Sequence, residues 1–322
     1  MKSYPLKFKP ILKERLWGGT KLKDVLGKPI ENHSTGESWE LSAVPGDISV
    51  VANGELSGTS LQELIDRYPE DLLGKDIFER FGTEFPILIK FIDAKKDLSI
   101  QLHPDDALAK ERHNSFGKTE MWYIMDADKD ANLIVGFNKN VPKQEYADSL
   151  TNDTLLELLN YEAVEEGDTF FINTGKIHAI GAGVLLAEIQ QTSDITYRVF
   201  DFNRKDKNGN LRELHTDLAL DAIDYERKDD FKVEYGKEKD VTNEMVDCPY
   251  FTTKFMDLSK DFEQDVSQRR SFTIYMCVAG MATIENESGT VNMQKGETIL
   301  IPAVTRHINI YTKGAKLLEV TI

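Results

Sequence analysis

Gly167-Asp168-Thr169-Phe170-Phe171-Ile172-Asn173-Thr174-Gly175-Lys176-Ile177-His178 and Gly296-Glu297-Thr298-Ile299-Leu300-Ile301-Pro302-Ala303-Val304-Thr305-Arg306-His307 are the two stretches that decide the fold. Each reads as a glycine-acid turn, a short β-rich run, a loop and a histidine, with Gly, acid, Thr and His in one register. A Gly-acid-Thr triplet recurs easily by chance. A histidine matched eleven positions on does so far less easily. Self-similarity in fixed register is the mark of a duplicated structural unit, so the chain is expected to carry one β module twice.

Outward from these segments, the apolar signal again comes in short β-rich runs: Ile87 to Ile92, Trp122 to Met125, Asn132 to Phe137, Thr196 to Phe202, Phe251 to Leu258, Phe272 to Val278 and Lys316 to Ile322. Many short strands separated by turns predict a sandwich or barrel. Helical patterns are fewer. Ser60-Leu61-Gln62-Glu63 is a capping box ahead of Leu61, Leu64 and Ile65, which fall on one helical face. Asn152 to Leu159 and about Thr216 to Tyr225 predict two further helices, as decorations on a β body. The hydrophilic stretch Tyr225 to Val246 is the expected connection, dividing an N-terminal half, residues 1–230, from a C-terminal half, residues 231–322.

Composition excludes several classes. The 322 residues carry 39 Lys and Arg against 55 Asp and Glu, a net charge of −16. Such a surface repels nucleic acid and anionic membrane, so any anionic substrate needs a local cluster of Lys and Arg. No apolar run approaches the roughly 18 residues that span a bilayer, and Lys2, Lys7, Lys9, Lys13, Glu14 and Arg15 break up the opening residues. Cys248 and Cys277 are too few for a disulfide framework. The expectation is a soluble, cytoplasmic protein without a secretory signal.

Gln101-Leu102-His103 reads as strand, where residues two apart face the same side. Glu120 opens the next predicted strand and His178 ends the first repeat. The four together offer two imidazoles, a carboxylate and an amide oxygen, a mixed set suited to a divalent ion such as zinc. His307 holds the same register in the second copy, but Ser271 to Val278, the expected mirror of the Glu120 strand, has neither carboxylate nor histidine. His307 is therefore expected to be a satisfied barrel histidine, with one metal ion per chain. His113, in a predicted helix, and His215, at a helix start, are assigned no role.

The Gly-acid turn, strand, loop and histidine resemble the second motif of cupin barrels. The resemblance implies a mainly β bicupin, two jelly-roll-like barrels with a few helical decorations, catalytic in residues 1–230 and non-catalytic in 231–322. A closer resemblance follows from ordered motifs: Gly36-Glu37-Ser38-Trp39-Glu40-Leu41-Ser42, Pro86 to Ala94, Leu98 to Asp106, Gly117-Lys118-Thr119-Glu120-Met121-Trp122-Tyr123, His178 to Gly183 and Tyr197-Arg198-Val199-Phe200-Asp201. Together they look like the type I mannose-6-phosphate isomerases in their short bacterial form. One departure is Lys118-Thr119-Glu120, where longer members carry Lys-Pro-Glu; the ligand is retained.

The resemblance implies zinc on Gln101, His103, Glu120 and His178, and a catalytic Arg198. It places Lys90, Lys118 and Glu188 in the pocket and Ser99 near the substrate phosphate. The implied reaction interconverts mannose 6-phosphate and fructose 6-phosphate through an enediolate. A divalent cation and a fixed guanidinium would stabilise the negative oxygen as it develops. Lys90 and Lys118 would supply positive potential, and a lysine beside zinc and arginine should lose its proton more easily. Lys118, Glu188 or a water on the metal could each serve as base. Two other classes stay open: a metal-dependent cupin dioxygenase, against which Gln101 stands in place of a histidine, and a non-catalytic sugar-binding cupin, which would not need Lys90, Lys118 and Arg198.

Overall fold

A computed structural model of the chain describes residues 3–206 and 208–322. The two copies of the repeat pair alike. Thr169–Ile172 lies antiparallel to Glu120–Ala127 with Ile172 opposite Glu120, and Thr298–Ile301 lies antiparallel to Thr273–Asn286 with Ile301 opposite Thr273. Both opening turns have one construction. Gly167 has φ +91° and Gly296 φ +86°, a left-handed conformation that glycine enters without a Cβ penalty. The acid that follows reaches back along the turn: the Glu165 amide donates to Asp168 Oδ2 at 3.0 Å, and the Gln294 amide to Glu297 Oε2 at 2.9 Å.

In the N-terminal half, a six-stranded sheet runs in the order Thr169–Ile172, Glu120–Ala127, Val184–Gln191, Ile87–Ala94, Thr35–Leu41, Ile11–Gly19. A five-stranded sheet runs Leu159–Ala163, Asn132–Phe137, His178–Ile180, Ile100–Leu102, Tyr197–Phe200. One buried cluster joins them, with Ile92, Trp122, Ile124 and Leu186 from the first sheet against Leu133, Val135 and Ile180 from the second. The C-terminal half supplies eight strands of a nine-stranded sheet built around Thr273–Asn286 and Ala315–Thr321. The mainly β architecture of two related bodies is as expected.

The halves are closely tied. Leu6–Lys7, at the start of the chain, pairs with Thr298–Ile301 near its end, Leu6 opposite Leu300. A single buried cluster carries Leu64, Phe85 and Phe91 into contact with Phe255, Phe272 and Leu318. The hydrophilic stretch from Tyr225 is laid onto the first body: the Val233 amide donates to the Thr169 carbonyl at 2.8 Å and the Tyr235 hydroxyl to the Gly167 carbonyl at 2.6 Å.

The capping box forms at Leu61–Arg67, with Ser60 and Glu63 bonded reciprocally. Helix Thr216–Ala222 also forms. The helix expected over Asn152 to Leu159 does not. A helix occupies Lys143–Thr151, and Leu155–Leu158 is a single 3₁₀ turn leading into a strand. Pro142 starts the helix one segment early, and the buried leucines 155 and 158 anchor the turn. No helix among the described residues is long and apolar enough to cross a membrane.

Candidate metal centre and active site

Three strands of the five-stranded sheet set a row of side chains. His178 lies opposite Gln101, and Gln101 lies opposite Arg198. Glu120 comes from the facing sheet, at the start of its strand. His103, Glu120 and His178 are each 1% exposed, and one ligating atom from each lies within 4.8 Å of the others.

The hydrogen bonds around the two imidazoles fix their tautomers. His103 Nδ1 lies 2.8 Å from the Ile195 carbonyl, and His178 Nδ1 lies 2.8 Å from the Lys176 carbonyl. A carbonyl can only accept, so each Nδ1 carries the proton and each Nε2 keeps its lone pair. His178 Nε2 faces Glu120 Oε1 at 3.5 Å, and His103 Nε2 faces Glu120 Oε2 at 3.6 Å. Acceptors therefore face acceptors. Both Glu120 oxygens and His178 Nε2 are buried without a hydrogen bond, a costly arrangement unless a cation sits among them. Burial pushes His178 down to about 3, and burial followed by the Lys118 ammonium holds His103 well below its usual value. Both are neutral, the form that ligates. The donor set fits a divalent metal ion.

Lys118 is the nearest positive group. Its Nζ lies 3.0 Å from Glu120 Oε2, too poorly aligned to count as a hydrogen bond, and 3.2 Å from His103 Nε2. Burial works against the ammonium, but Glu120 and Glu188 outweigh it and raise its pKa. In the field of this chain's own groups, then, Lys118 is held protonated and not eased toward deprotonation. The sequence expectation counted the positive neighbours and left out these two carboxylates.

Across the cavity, Lys90 and Glu188 occupy opposed positions on adjacent strands. Lys90 Nζ donates to Glu188 Oε1 at 3.0 Å and Gln190 Oε1 at 2.6 Å, and sits 5.2 Å from the Trp39 ring centroid. Trp122 Nε1 donates to Glu188 Oε2 at 2.9 Å, and its ring meets His178 edge-on at 5.4 Å. Burial disfavours the Glu188 carboxylate, yet Lys90 and Lys118 outweigh it and hold its pKa low. Glu120 behaves oppositely, because burial lifts it and Lys118 offsets only part.

A cavity of about 440 Å³ opens onto this constellation, lined by Lys90, Ser99, Gln101, Lys118, Glu188 and Arg198 among others. All nine residues singled out in the sequence thus converge on one place. Arg198 is half-buried. Its NH1 donates to the Glu213 carbonyl at 2.9 Å, and its Nε is buried without a partner. Asp201, the acid three residues on, is taken by Arg204 and Arg212. The Ser99 hydroxyl donates to Gln101 Oε1 at 3.2 Å.

Sequence reasoning missed Trp122, Trp39, Gln190, Glu37, Arg15 and Arg212. Trp122 stands two residues beyond Glu120 on the same strand, so alternation pointed to it. Arg212 lies in irregular chain and had no local signal. His307 is exposed and not the satisfied barrel histidine expected: it opens the strand His307–Tyr311, which lies between Phe262–Asp265 and Thr273–Asn286, and it stands opposite Asp265. No second cluster of metal-ligating groups occurs among the described residues. A larger cavity, about 690 Å³, lies on the C-terminal half against Met281 and Tyr311, away from these groups.

Comparison with known proteins extends the picture to the whole chain. Residues 6–138 match the family model for the phosphomannose isomerase type I catalytic domain, and residues 241–318 match that for the mannose-6-phosphate isomerase cupin domain. Mannose-6-phosphate isomerase ManA of Bacillus subtilis is 37% identical over 306 residues, 94% of each chain. The mannose-6-phosphate isomerase of Streptococcus mutans is 33% identical over 299 residues, 92% of each. The crystal structure of the Bacillus subtilis mannose 6-phosphate isomerase superposes with a TM-score of 0.90 at 34% identity, covering 99% of this chain and 100% of that one. With two family models in order and relatives alike over nearly their full length, the chain belongs to the type I mannose-6-phosphate isomerases.

Proposed function

We propose that the chain is a zinc-dependent aldose–ketose isomerase that interconverts mannose 6-phosphate and fructose 6-phosphate through an enediolate. It would act in the cytoplasm, where its cysteines, neither of them in a disulfide, stay reduced. The observation that carries the reading is the buried His103–Glu120–His178 cluster, whose acceptors face one another beside a basic cavity. Gln101, in register with His178 on the same sheet, is the proposed fourth ligand. Residues 1–230 would form the catalytic half and 231–322 a structural one.

Bound among these ligands, zinc would polarise the substrate oxygens at C1 and C2 and, by taking Glu120, loosen the partner that keeps Lys118 protonated. Everything else falls to the chain. Isomerisation removes the proton on C2 and returns it to C1, so one group must accept and release a proton in place. Glu188 is poorly suited, because both of its oxygens are engaged and its pKa is held low. Its role is to fix Lys90 and bias Lys118. Lys118 reaches both the ligand cluster and the cavity and is the proposed proton carrier. Arg198 offers an unpaired, preorganised guanidinium edge to the developing oxyanion, and its planar fork holds the two oxygens in one geometry.

The test is a coupled assay of mannose 6-phosphate to fructose 6-phosphate conversion, with and without chelator and with zinc restored. Turnover that chelator abolishes and zinc returns is expected. Turnover indifferent to chelator rejects the metal, and no turnover by metal-replete protein rejects the isomerase.

A further inference from the structure

We propose that Arg212, braced by Asp201 and working beside Ser99, binds the phosphate of the substrate at the end of the cavity away from the metal cluster. The proposal rests on the phosphosugar reading above and names the residue that recognises its charged end.

The first argument is the charge state of the cavity's cations. Arg15 is bound by both oxygens of Glu37, at 3.1 and 2.8 Å. Lys90 is held by Glu188, and Lys118 by Glu120. These three bring no uncompensated charge. Arg212 shares its carboxylate: its Nε donates to Asp201 Oδ2 at 2.7 Å, while its NH2 and Arg204 both bind Asp201 Oδ1. Two guanidiniums on one carboxylate leave one positive charge over, and Arg198, without a carboxylate partner, adds another. With Glu37 and Glu188 taken by Arg15 and Lys90, the remaining acid on the lining is Asp194, at the exposed rim. A phosphate monoester carries roughly −1.5 to −2 at neutral pH, which matches this excess.

The second argument is distance along the sheet. His178, Gln101 and Arg198 stand on successive strands, spaced by about 4.8 Å. The chain carrying Arg212 runs along the far side of Arg198, where the His215 amide donates to the Arg198 carbonyl at 2.7 Å. Arg212 is therefore one step further from the metal cluster than Arg198, and it lines the same cavity. In a hexose 6-phosphate the reacting carbons and the phosphate are at opposite ends of the chain. With C1 and C2 at the cluster, the phosphate points along this row. Ser99 is at the same end: it precedes Ile100, whose partner Phe200 precedes Asp201.

Arg204 provides the control, because it binds the same carboxylate but does not line the cavity. The experiment compares Arg212→Gln, Arg212→Lys and Arg204→Ala with the unmodified, metal-replete protein, reading kcat and KM for mannose 6-phosphate and the affinity for inorganic phosphate by calorimetry. Arg212→Gln should raise KM and weaken phosphate by about 10- to 100-fold, the range for losing a hydrogen bond to a charged group, with kcat within a few-fold and metal content unchanged. Arg212→Lys, which keeps the charge and the Asp201 pair, should recover only part, since a point charge lacks the planar fork; it decides the matter if Arg212→Gln does not fold. Unchanged phosphate affinity in both Arg212 variants overturns the proposal. An equal loss in Arg204→Ala overturns it too, because the effect would then be structural and pass through Asp201. Phosphate binding that depends on Arg212 in a protein without isomerase turnover would uphold this inference and reject the reading it rests on.

Discussion

Lys90 and Glu188 are 5% and 3% exposed, and their contact is the most consequential charge pair outside the ligand cluster. Breaking a buried pair strands its partner, a loss of typically about 3–5 kcal/mol. Neither partner would be wholly stranded here. After Glu188→Gln, Lys90 keeps Gln190 at 2.6 Å and the Trp39 face. After Lys90→Met, Glu188 keeps the Trp122 indole at 2.9 Å and the field of Lys118. Each single change is therefore expected at the low end, about 3 kcal/mol. In the double variant no charge is left unpaired, and the loss should be about 1–2 kcal/mol, because nearly isosteric neutral replacements of buried pairs are often close to neutral. The cycle should then give a coupling energy of about 4 kcal/mol, far above the ~0.5 kcal/mol error of additivity for independent sites. The assay is urea unfolding of the metal-replete protein and its three variants, with midpoints and slopes compared. Additive losses, or single losses under about 1 kcal/mol, would mean that the pair is solvated in solution, and the account of Glu188 as a fixed, low-pKa carboxylate would fall with it.

The metal cluster predicts that His178→Ala loses bound ion and activity together, whereas His307→Ala, at an exposed position, keeps one equivalent by elemental analysis; the reverse pattern would place the site in the other half. Arg198→Ala should keep metal and fold while kcat falls on the order of 10² to 10³, with Arg198→Lys recovering little; a raised KM at constant kcat would instead assign it to binding. Metal-free protein should lose stability as pH falls from about 6.5 to about 4.5. Its two neutral histidines refuse protons that the unfolded chain accepts below about 6.5, which removes stability on acidification; Glu120, raised to about 7, holds one proton that the unfolded chain releases above about 4.5, which opposes it. The net excess of one proton in the unfolded state gives about 1.4 kcal/mol per pH unit. A flat denaturation midpoint across that window would contradict it, and zinc should shift the loss to lower pH.

Strands marked by apolar, β-rich runs were readable, Ile87 to Ile92 and Trp122 to Met125 of the cavity wall among them. Two other strands of that wall were not. Val184–Gln191 is buried at every position, yet Glu188, Gln190 and Gln191 interrupt its apolar run: Glu188 lines the cavity, Gln190 bonds Lys90 beside it, and Gln191, on the other face, bonds the Thr119 amide and Asp106. Thr35–Leu41 hides because both of its faces carry polar groups: Glu37 and Trp39 line the cavity, while Ser38 and Glu40 on the other face are buried and hydrogen-bonded to each other at 2.6 Å. Buried polar residues thus erased the periodicity that would have announced these strands. The ligand cluster was legible, because the Gln101–His103 spacing and the repeat register both point inward; Lys90, Ser99, Lys118, Glu188 and Arg198 came only with the family resemblance. Arg212 was not legible, as only its tertiary pairing with Asp201 brings it to the cavity. The hydrophilic Tyr225 to Val246 stretch read as a connection because its packing residues, Tyr225, Phe231, Val233, Tyr235, Met245 and Val246, are scattered among charged ones, and its end enters the strand Thr242–Asp247.

The repeat also explains why one half holds the candidate centre and the other does not. Equal pairing makes Thr273 the counterpart of Glu120, Tyr275 of Trp122, Glu319 of Glu188 and Asp265 of Gln101. One interaction survives in altered form: the Trp122 indole donates to Glu188 Oε2 at 2.9 Å, and the Tyr275 hydroxyl donates to Glu319 Oε2 at 2.9 Å. A buried acid beside an aromatic donor is therefore common to both bodies and does not by itself make an active site. The outcome depends on what neutralises that acid. In the C-terminal half Arg269 takes both oxygens of Glu319 at 3.0 Å, Thr273 binds the same guanidinium at 2.9 Å, and the group is closed. In the N-terminal half Lys90 takes only one oxygen of Glu188, and Glu120, where the other half has Thr273, adds a second buried carboxylate facing two imidazole lone pairs. That surplus of acceptors, only partly met by Lys118, gives the N-terminal half a place for a cation, which the saturated network of the other half lacks.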